Sequence, residues 1–327
     1  MRALHVNDCA FTAEQLIRAA RGRGLPWSFQ PVAASGRSWS GPADQAERAV
    51  RGAAWLTRLG ARAARHDLMH VHSAGVVRHT RLVPRRFVLH LHGTDIRSLQ
   101  YDPQWQTVID WGLRHALHVF YSTPDLAAHA LPHRPDATQV PVPVDVTRLP
   151  PYRPHRDDPY VLFASRWEAV KGLDAQLHTL RQTVSAVAGQ ARVLGLDWGP
   201  GARDARAAGV SLVPQRDHEA YLDLLAGATA VVGQAGGILS ASELEAIGIG
   251  VPVAVPVPLP LYDAVRPPVL GHSPSAAAEA VAAVVAGALP VESEAGPAWV
   301  AEHHAPALGV DIVLEAYDRL AANGWRR

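Results

Sequence analysis

Residues 140–160 constrain the fold more than any other part of the chain. They read VPVPVDVTRLPPYRPHRDDPY and include six prolines. Proline lacks a backbone N–H and fixes φ, so a run of this kind resists both helix interiors and central strands. The chain is therefore read as two folded halves, 1–150 and 151–307, with residues 308–327 forming a closing helix that packs back on the first half. A length of 327 residues agrees with two domains, at roughly 100–200 residues each.

Each half alternates short apolar runs with helical segments. In the first, residues 3–6, 68–72, 86–92 and 117–122 read as strands, and 13–23, 47–65 and 104–115 as helices, with Thr12 as the N-cap of the first helix. In the second, residues 160–164, 191–196, 210–214, 230–233 and 251–255 read as strands. Helices are expected at 172–187, 218–226, 243–247 and 276–287, with 288–306 irregular and 308–322 helical. Such alternation implies an α/β protein with parallel sheets and crossover helices. Two doubly wound, Rossmann-like domains facing a cleft would hold ligands at the carboxyl ends of their strands.

Composition narrows the setting. One cysteine, Cys9, rules out an intramolecular disulfide and fits a reducing compartment. The first residues, MRALHVNDCAFTAEQL, carry too short and too interrupted an apolar stretch for a signal peptide. No apolar run reaches the ~18–20 residues of a membrane span. A cytoplasmic protein is expected. The net charge of +1 is unevenly split. Residues 1–150 hold 18 Arg against 11 acidic residues, or +7; the remainder holds 13 basic against 19 acidic, or −6. The basic first half suits an anionic acceptor or peripheral contact with an anionic membrane. Nucleic acid is disfavoured, because aromatics make up only 6% and are not interleaved with the arginines.

Lys171 is the only lysine among the 31 basic residues. It stands five residues after Arg166 and just before Gly172, in the loop that follows the 160–164 strand. A rotatable ammonium and a planar guanidinium together suit the two phosphates of a diphosphate. Placed where a strand hands over to a helix, they can neutralise a pyrophosphate as it leaves. A second segment, residues 236–253, runs from glycines through a helix start to a Gly-x-Pro turn and another strand. Glycine allows close backbone approach there, and free N–H groups at a helix start, around Gly237 and Ser240, attract phosphate. Glu243 and Glu245 are two apart on that helix, so only one of them can face a ligand.

Taken in order, these segments resemble the donor half of glycosyltransferase family 4, a group with the two-domain GT-B fold. The matching residues are Arg166-x4-Lys171-Gly172 and, some seventy residues later, Glu245-Ala246-x3-Gly250-x-Pro252-Val253. The resemblance implies that Arg166 and Lys171 bind the donor diphosphate and that Glu245 binds the nucleotide ribose. Val213-Pro214-Gln215-Arg216 is similar to the segment flanking the base, which places Arg216 among the donor-binding residues. In the first half, His90-Leu91-His92-Gly93-Thr94-Asp95 resembles a loop of bacillithiol-type GlcNAc–malate transferases. That likeness implies contact of His92 with the donor sugar near the reacting carbon, and a bracing role for Asp95 in the loop. Ala116 to Thr123 and residues 140–145 resemble the same group's next strand and linker.

Two departures stand out. The family usually has a second Glu eight residues before the ribose Glu; that position is Gly237 here, and Gln234 is the nearest substitute. The family's N-terminal Gly-Gly loop is replaced by Asn7 to Thr12. His70 and His72 alternate on one strand, with no Cys or acidic cluster to complete a zinc site. His303 and His304 read as a helix-end feature.

The resemblance implies a retaining glycosyltransferase. It would move a sugar from a UDP- or GDP-linked donor to a hydroxyl acceptor, with no cofactor and no metal. The departing phosphate would take the acceptor's proton. Two other readings stay open: an inactive nucleotide-sugar binding protein, and a GT-B nucleotide-sugar epimerase.

Overall fold

The computed structural model describes residues 1–32, 41–260, 265–291 and 293–324. Residues 325–327 of the expected closing segment thus lie outside the described residues. The chain divides into two compact units, Met1–Pro143 with Pro306–Arg327, and Val144–Ala305.

The first unit holds strands β1 (Ala3–Val6), β2 (Ser28–Gln30), β3 (Leu68–His72), β4 (Phe87–Leu91), β5 (Val119–Tyr121) and β6 (Thr138–Gln139). They form one parallel sheet in the order β2-β1-β3-β4-β5-β6. β3 and β4 are buried at all their residues, as expected when helices cover both faces. Leu4, Val6, Met69, Val71, Leu89 and Leu91 fill one face. The other face carries Ala3, Val88 and Phe120 and packs on Leu16 and Ile17 of the Thr12–Gly22 helix and on Val310, Val313 and Tyr317 of the Pro306–Ala322 helix.

The second unit holds β7 (Tyr160–Phe163), β8 (Arg192–Leu196), β9 (Ser211–Val213), β10 (Ala230–Val232), β11 (Val253–Val255) and β12 (Leu270–Gly271). The parallel order is β12-β11-β10-β7-β8-β9. Read from β9, this is the 3-2-1-4-5-6 arrangement of a dinucleotide-type fold, whose strand order reverses between β7 and β10. Val161, Phe163, Val193 and Val232 anchor its core against Leu177 and Leu180 of the Leu173–Ala186 helix and Val281 of the Pro274–Val285 helix.

The first compact unit ends at Pro143, inside the proline-rich stretch. At the start of the proline-rich stretch Val140 N still donates to Tyr121 O of the first unit at 2.9 Å, and from Val144 on the long-range donations go to the second unit: Val144 N to His304 O at 2.8 Å, Arg153 N to Ala226 O at 2.9 Å and His155 N to Gly227 O at 3.0 Å. The closing helix does pack back on the first unit as expected, with Gly309 so near Leu16 that a Cβ there would lie 2.7 Å from its Cδ2. Several expectations need correction. Residues 288–306 are not irregular throughout, since Ala295–His303 is a helix. Its Gly296 and Pro297 disguise it in sequence. Glycine is needed because a Cβ at 296 would meet Ile247 O at 2.5 Å. Nor does Thr12 cap the first helix. The cap position is Phe11, and Asp8 supplies the acceptors, taking Ala13 N at 3.0 Å and Glu14 N at 3.2 Å. The short edge strands β2, β6 and β12 and the Ala202–Ala207 helix were not expected.

Candidate donor site and a buried histidine layer

In the second unit the loops after β7 and β10 leave adjacent strands at the point where strand order reverses. This is where open α/β sheets bind ligands. Arg166 and Lys171 sit on the first loop; Gln234, Gly237 and Ser240 sit on the second. The loops are stitched together: Ala235 N donates to Lys171 O at 3.0 Å, and Gln176 Nε2 donates to the same carbonyl at 2.6 Å. Gly172 has φ 71°, and a Cβ there would lie 2.5 Å from Ala235 O. Only glycine permits both the left-handed turn and this approach.

Arg166 is not isolated. Its Nη1 lies 3.1 Å from Glu168 Oε1, and its guanidinium lies 5.1 Å from the ring centre of Trp198, which is 45% exposed. The Asp197–Gly201 loop is tied to the same place, with Trp167 N donating to Trp198 O at 3.0 Å and Gly201 N to Trp167 O at 3.0 Å. Neither Glu168 nor Trp198 was singled out from sequence. The Trp198 contact depends on the turn after β8 and leaves no spacing signal.

The two glutamates have separate environments. Glu243 is fully buried and serves its own helix: Oε1 accepts from Gln234 N at 2.9 Å, and Oε2 accepts from Ser240 N at 2.8 Å and from the Ser240 hydroxyl. This is a capping box, so the Ser240 hydroxyl is engaged by Glu243. Glu245 faces elsewhere, with Oε1 2.7 Å from His218 Nε2. His218 begins the His218–Ala226 helix, whose N-cap Asp217 accepts from Ala220 N at 2.9 Å. The Asp-His pair at a helix start was the only sequence signal for it. Tyr221, from the same helix, donates its hydroxyl to Ala164 O at 3.2 Å at the end of β7. Arg216 is exposed just beyond β9.

Gly237 has φ 75°, and a Cβ there would meet nothing within 4 Å. Space for a side chain exists at this position, but the backbone is in the left-handed region that side chains disfavour. Gln234 is buried, and its Nε2 has no hydrogen-bond partner among the described residues.

In the first unit, His92 follows β4 and is partly exposed. Asp95 is buried and braces the loop, accepting from His92 N at 3.1 Å, Gly93 N at 2.9 Å, Ile96 N at 3.0 Å and Ala74 N at 2.9 Å. The Asn7 to Phe11 turn beside it makes left-handed conformations without glycine, at Asn7 (φ 72°), Ala10 (φ 51°) and Phe11 (φ 60°). Cys9 lies in that turn, and burial pushes its thiol up to about 12.

His92 ends a buried layer of imidazoles on the sheet face under the closing helix. Strand parity puts His5, His70, His72, His90 and His92 on that one face, because β1, β3 and β4 pair in register His5↔His70 and His72↔His90. Burial lowers every pKa in the layer, His5 to about 3 and His92 to about 4, the latter despite the opposing pull of Asp95. Two trios, His5-His70-His72 and His72-His90-His92, each bring three ring nitrogens within 4.8 Å. This all-histidine grouping was missed in sequence, where only His70 and His72 were compared.

No protein-family model matches the sequence, and no curated protein matches it. Solved structures do. HepE of Anabaena in complex with UDP-glucose is 13% identical with a TM-score of 0.71, covering 98% of this chain and 100% of that one. A sucrose-phosphate synthase from Thermosynechococcus elongatus is 16% identical with a TM-score of 0.69, at 98% and 100% coverage. AviGT4, a glycosyltransferase involved in avilamycin A biosynthesis, is 21% identical with a TM-score of 0.64, at 98% of each chain. The chain has the GT-B fold. At these identities the likeness establishes architecture, and residue roles rest on the chemistry of the chain itself. Among the described residues, no helix is long and apolar enough to cross a membrane.

Proposed function

We propose that the protein is a retaining glycosyltransferase that moves a sugar from a UDP- or GDP-linked donor to a hydroxyl acceptor. One observation carries the reading: Arg166 and Lys171 stand on a loop hydrogen-bonded to the glycine-rich loop after β10, at the strand-order reversal of the second unit. That arrangement offers two cations and closely approachable backbone to a diphosphate. The structural likeness to HepE, solved with UDP-glucose, supports the choice of a nucleotide-sugar donor.

The roles follow. Lys171 and Arg166 hold the diphosphate and stabilise its charge as the bond to the sugar breaks. Glu245, steadied by His218, accepts from the ribose hydroxyls. Glu243, with Ser240, holds the helix start and the turn at Gln234. His92 contacts the donor sugar, and Asp95 holds the loop that carries it. The departing phosphate oxygen takes the acceptor's proton, so no protein base is needed, and Arg166, Lys171 and backbone N–H groups hold the diphosphate in place of a metal.

The test is a panel of UDP- and GDP-sugars, with and without a mixture of hydroxyl acceptors, read by mass spectrometry with and without EDTA. A glycosylated acceptor formed equally with EDTA is the expected result. Donor binding without turnover would identify a binding protein, and conversion of the sugar with no acceptor present would identify an epimerase. Either result overturns the transferase reading.

A further inference from the structure

The histidine layer is not a random cluster. Two hydrogen-bonded chains run through it. In one, His5 Nδ1 lies 3.0 Å from His72 Nε2, and His72 Nδ1 lies 3.0 Å from His92 Nε2. In the other, Tyr317 OH lies 2.7 Å from His70 Nδ1, and His70 Nε2 lies 3.2 Å from His90 Nδ1. In the first chain successive ring planes are close to parallel, His5 and His72 with centres 5.2 Å apart at 29°, and His72 and His92 at 5.1 Å and 25°, while His70 and His90 of the second chain are tilted by 39°. Imidazole N–H bonds and lone pairs both lie in the ring plane; with nitrogens 3.0 Å apart and ring centres 5.2 and 5.1 Å apart, His5, His72 and His92 meet nearly edge to edge, so that one ring's N–H can point at the next ring's lone pair. A metal needs three lone pairs to converge on one point. The layer is built for N–H···N bonds.

A neutral imidazole has one N–H and one lone pair. A chain of three must therefore order its protons in one of two directions. In the first, His5 and His72 each donate from Nδ1, His92 receives at Nε2, and its own proton is on Nδ1. In the second, every donation comes from Nε2 and runs inward, and His92 keeps a bare Nδ1. Two observations choose between them. His5 Nε2 is buried with no partner among the described residues. The inward order strands an N–H there, and buried orphan N–H groups are the rarer defect. The Asp95 carboxylate lies at the other end, under the backbone N–H of His92. It attracts the positive ends of N–H dipoles that point toward His92.

We propose that His72, backed by His5, is a positioning residue that locks His92 in the Nδ1–H tautomer, so that His92 meets its ligand as a hydrogen-bond donor and not as a base. The link to catalysis rests on the proposed contact of His92 with the donor sugar. The tautomer itself does not, since it follows from the buried chain and Asp95. A donor at this position strengthens its bond as charge develops on a sugar or phosphate oxygen, and it leaves the acceptor's proton to the departing phosphate. Tautomer choice through the second ring nitrogen is a general property of histidine sites.

The experiment uses the full chain labelled with 15N-histidine at pH 7.5. Two-bond 15N–1H correlations distinguish the tautomers, and the His92 signals are assigned by their loss in His92→Gln. Wild type should show His92 as one neutral species protonated at Nδ1. In His72→Phe, which keeps a stacked ring without nitrogens, His92 should become a tautomer mixture. In that variant turnover should fall by at least roughly tenfold, with UDP affinity changed by less than about twofold. His72→Asn places an amide N–H near the lost Nδ1 and should restore the single tautomer and most of the turnover. An Nε2–H or mixed His92 in wild type overturns the proposal. So does an unchanged His92 spectrum in His72→Phe, or the appearance of tetrahedral Co2+ absorption bands when the wild-type chain is titrated with Co2+. If His72→Phe does not fold, the wild-type tautomer and the His72→Asn variant still decide the question. A wild type without transferase activity would remove the proposed function and leave the tautomer result standing.

Discussion

Glu245 and His218 meet at 2.7 Å, across two helices of the second unit, while Glu243 points away from this pair and caps the helix on which both glutamates stand. Helix geometry sends residues two apart in different directions. The contacts then give the two carboxylates different duties. Glu245→Gln should weaken binding of UDP more than binding of its 2′,3′-dideoxy analogue, read by calorimetry. Glu243→Gln should instead lower thermal stability by about 1–3 kcal/mol, because it weakens a buried acceptor of two backbone N–H groups. A ribose-selective loss in Glu243→Gln, with none in Glu245→Gln, would reverse the assignment.

Lys171→Ala and Arg166→Ala should each weaken nucleotide diphosphate binding by roughly 1.5–3 kcal/mol, the scale of a charge-assisted contact. Arg166 also pairs with Glu168, so part of its effect should return in the Arg166→Ala/Glu168→Ala double variant. Unfolding by urea should move little in the single variants. Unchanged affinity in both would remove the diphosphate assignment.

Gly172→Ala should act on the same site through the backbone. A Cβ there would lie 2.5 Å from Ala235 O, at φ 71°. The two loops would have to part, with a loss of stability of about 1–3 kcal/mol and weaker diphosphate binding. An alanine variant with wild-type melting and affinity would show that the stitched loops are not needed.

His92 belongs to the first unit, whereas Arg166, Lys171 and Glu245 belong to the second. His92→Ala should therefore cut turnover sharply while affinity for bare UDP stays within about threefold. Wild-type turnover in this variant would make the loop at His92 purely structural.

The histidine layer should also make folding acid-sensitive. His5 and His92 titrate near 6.5 when unfolded and are pushed down to about 3 and about 4 by burial, and His70, His72 and His90 are lowered as well. Below about pH 6.5 the unfolded chain thus binds more protons than the folded one. Stability contributed by the neutral layer is complete above that pH and falls as pH drops toward 4, by up to roughly 1.4 kcal/mol per pH unit for each histidine. Urea unfolding at pH 7.5 and pH 5.5 should show the loss, and His70→Phe should reduce it. A flat profile across this range would contradict the buried neutral state.

Much of this protein is determined locally. Runs such as residues 68–72 and 86–92 are apolar and short, helical periodicity separates them, and prolines punctuate the middle of the chain. Those features suffice for two parallel-sheet units, and the loop carrying Arg166 and Lys171 could be placed after a strand for the same reason. The tertiary structure decided what depends on partners distant in sequence. Only strand register reveals that His5, His70, His72, His90 and His92 share one buried face, since parity along one strand says nothing about alignment with the next. Pairing of Glu245 with His218 needs two helices to pack at a particular rotation. The helix at Ala295–His303 escaped notice because its Gly296 and Pro297 look like breakers, yet the glycine is there to let Ile247 O approach. Sequence spacing carries the elements that satisfy their own hydrogen bonds; contacts made between elements belong to the fold.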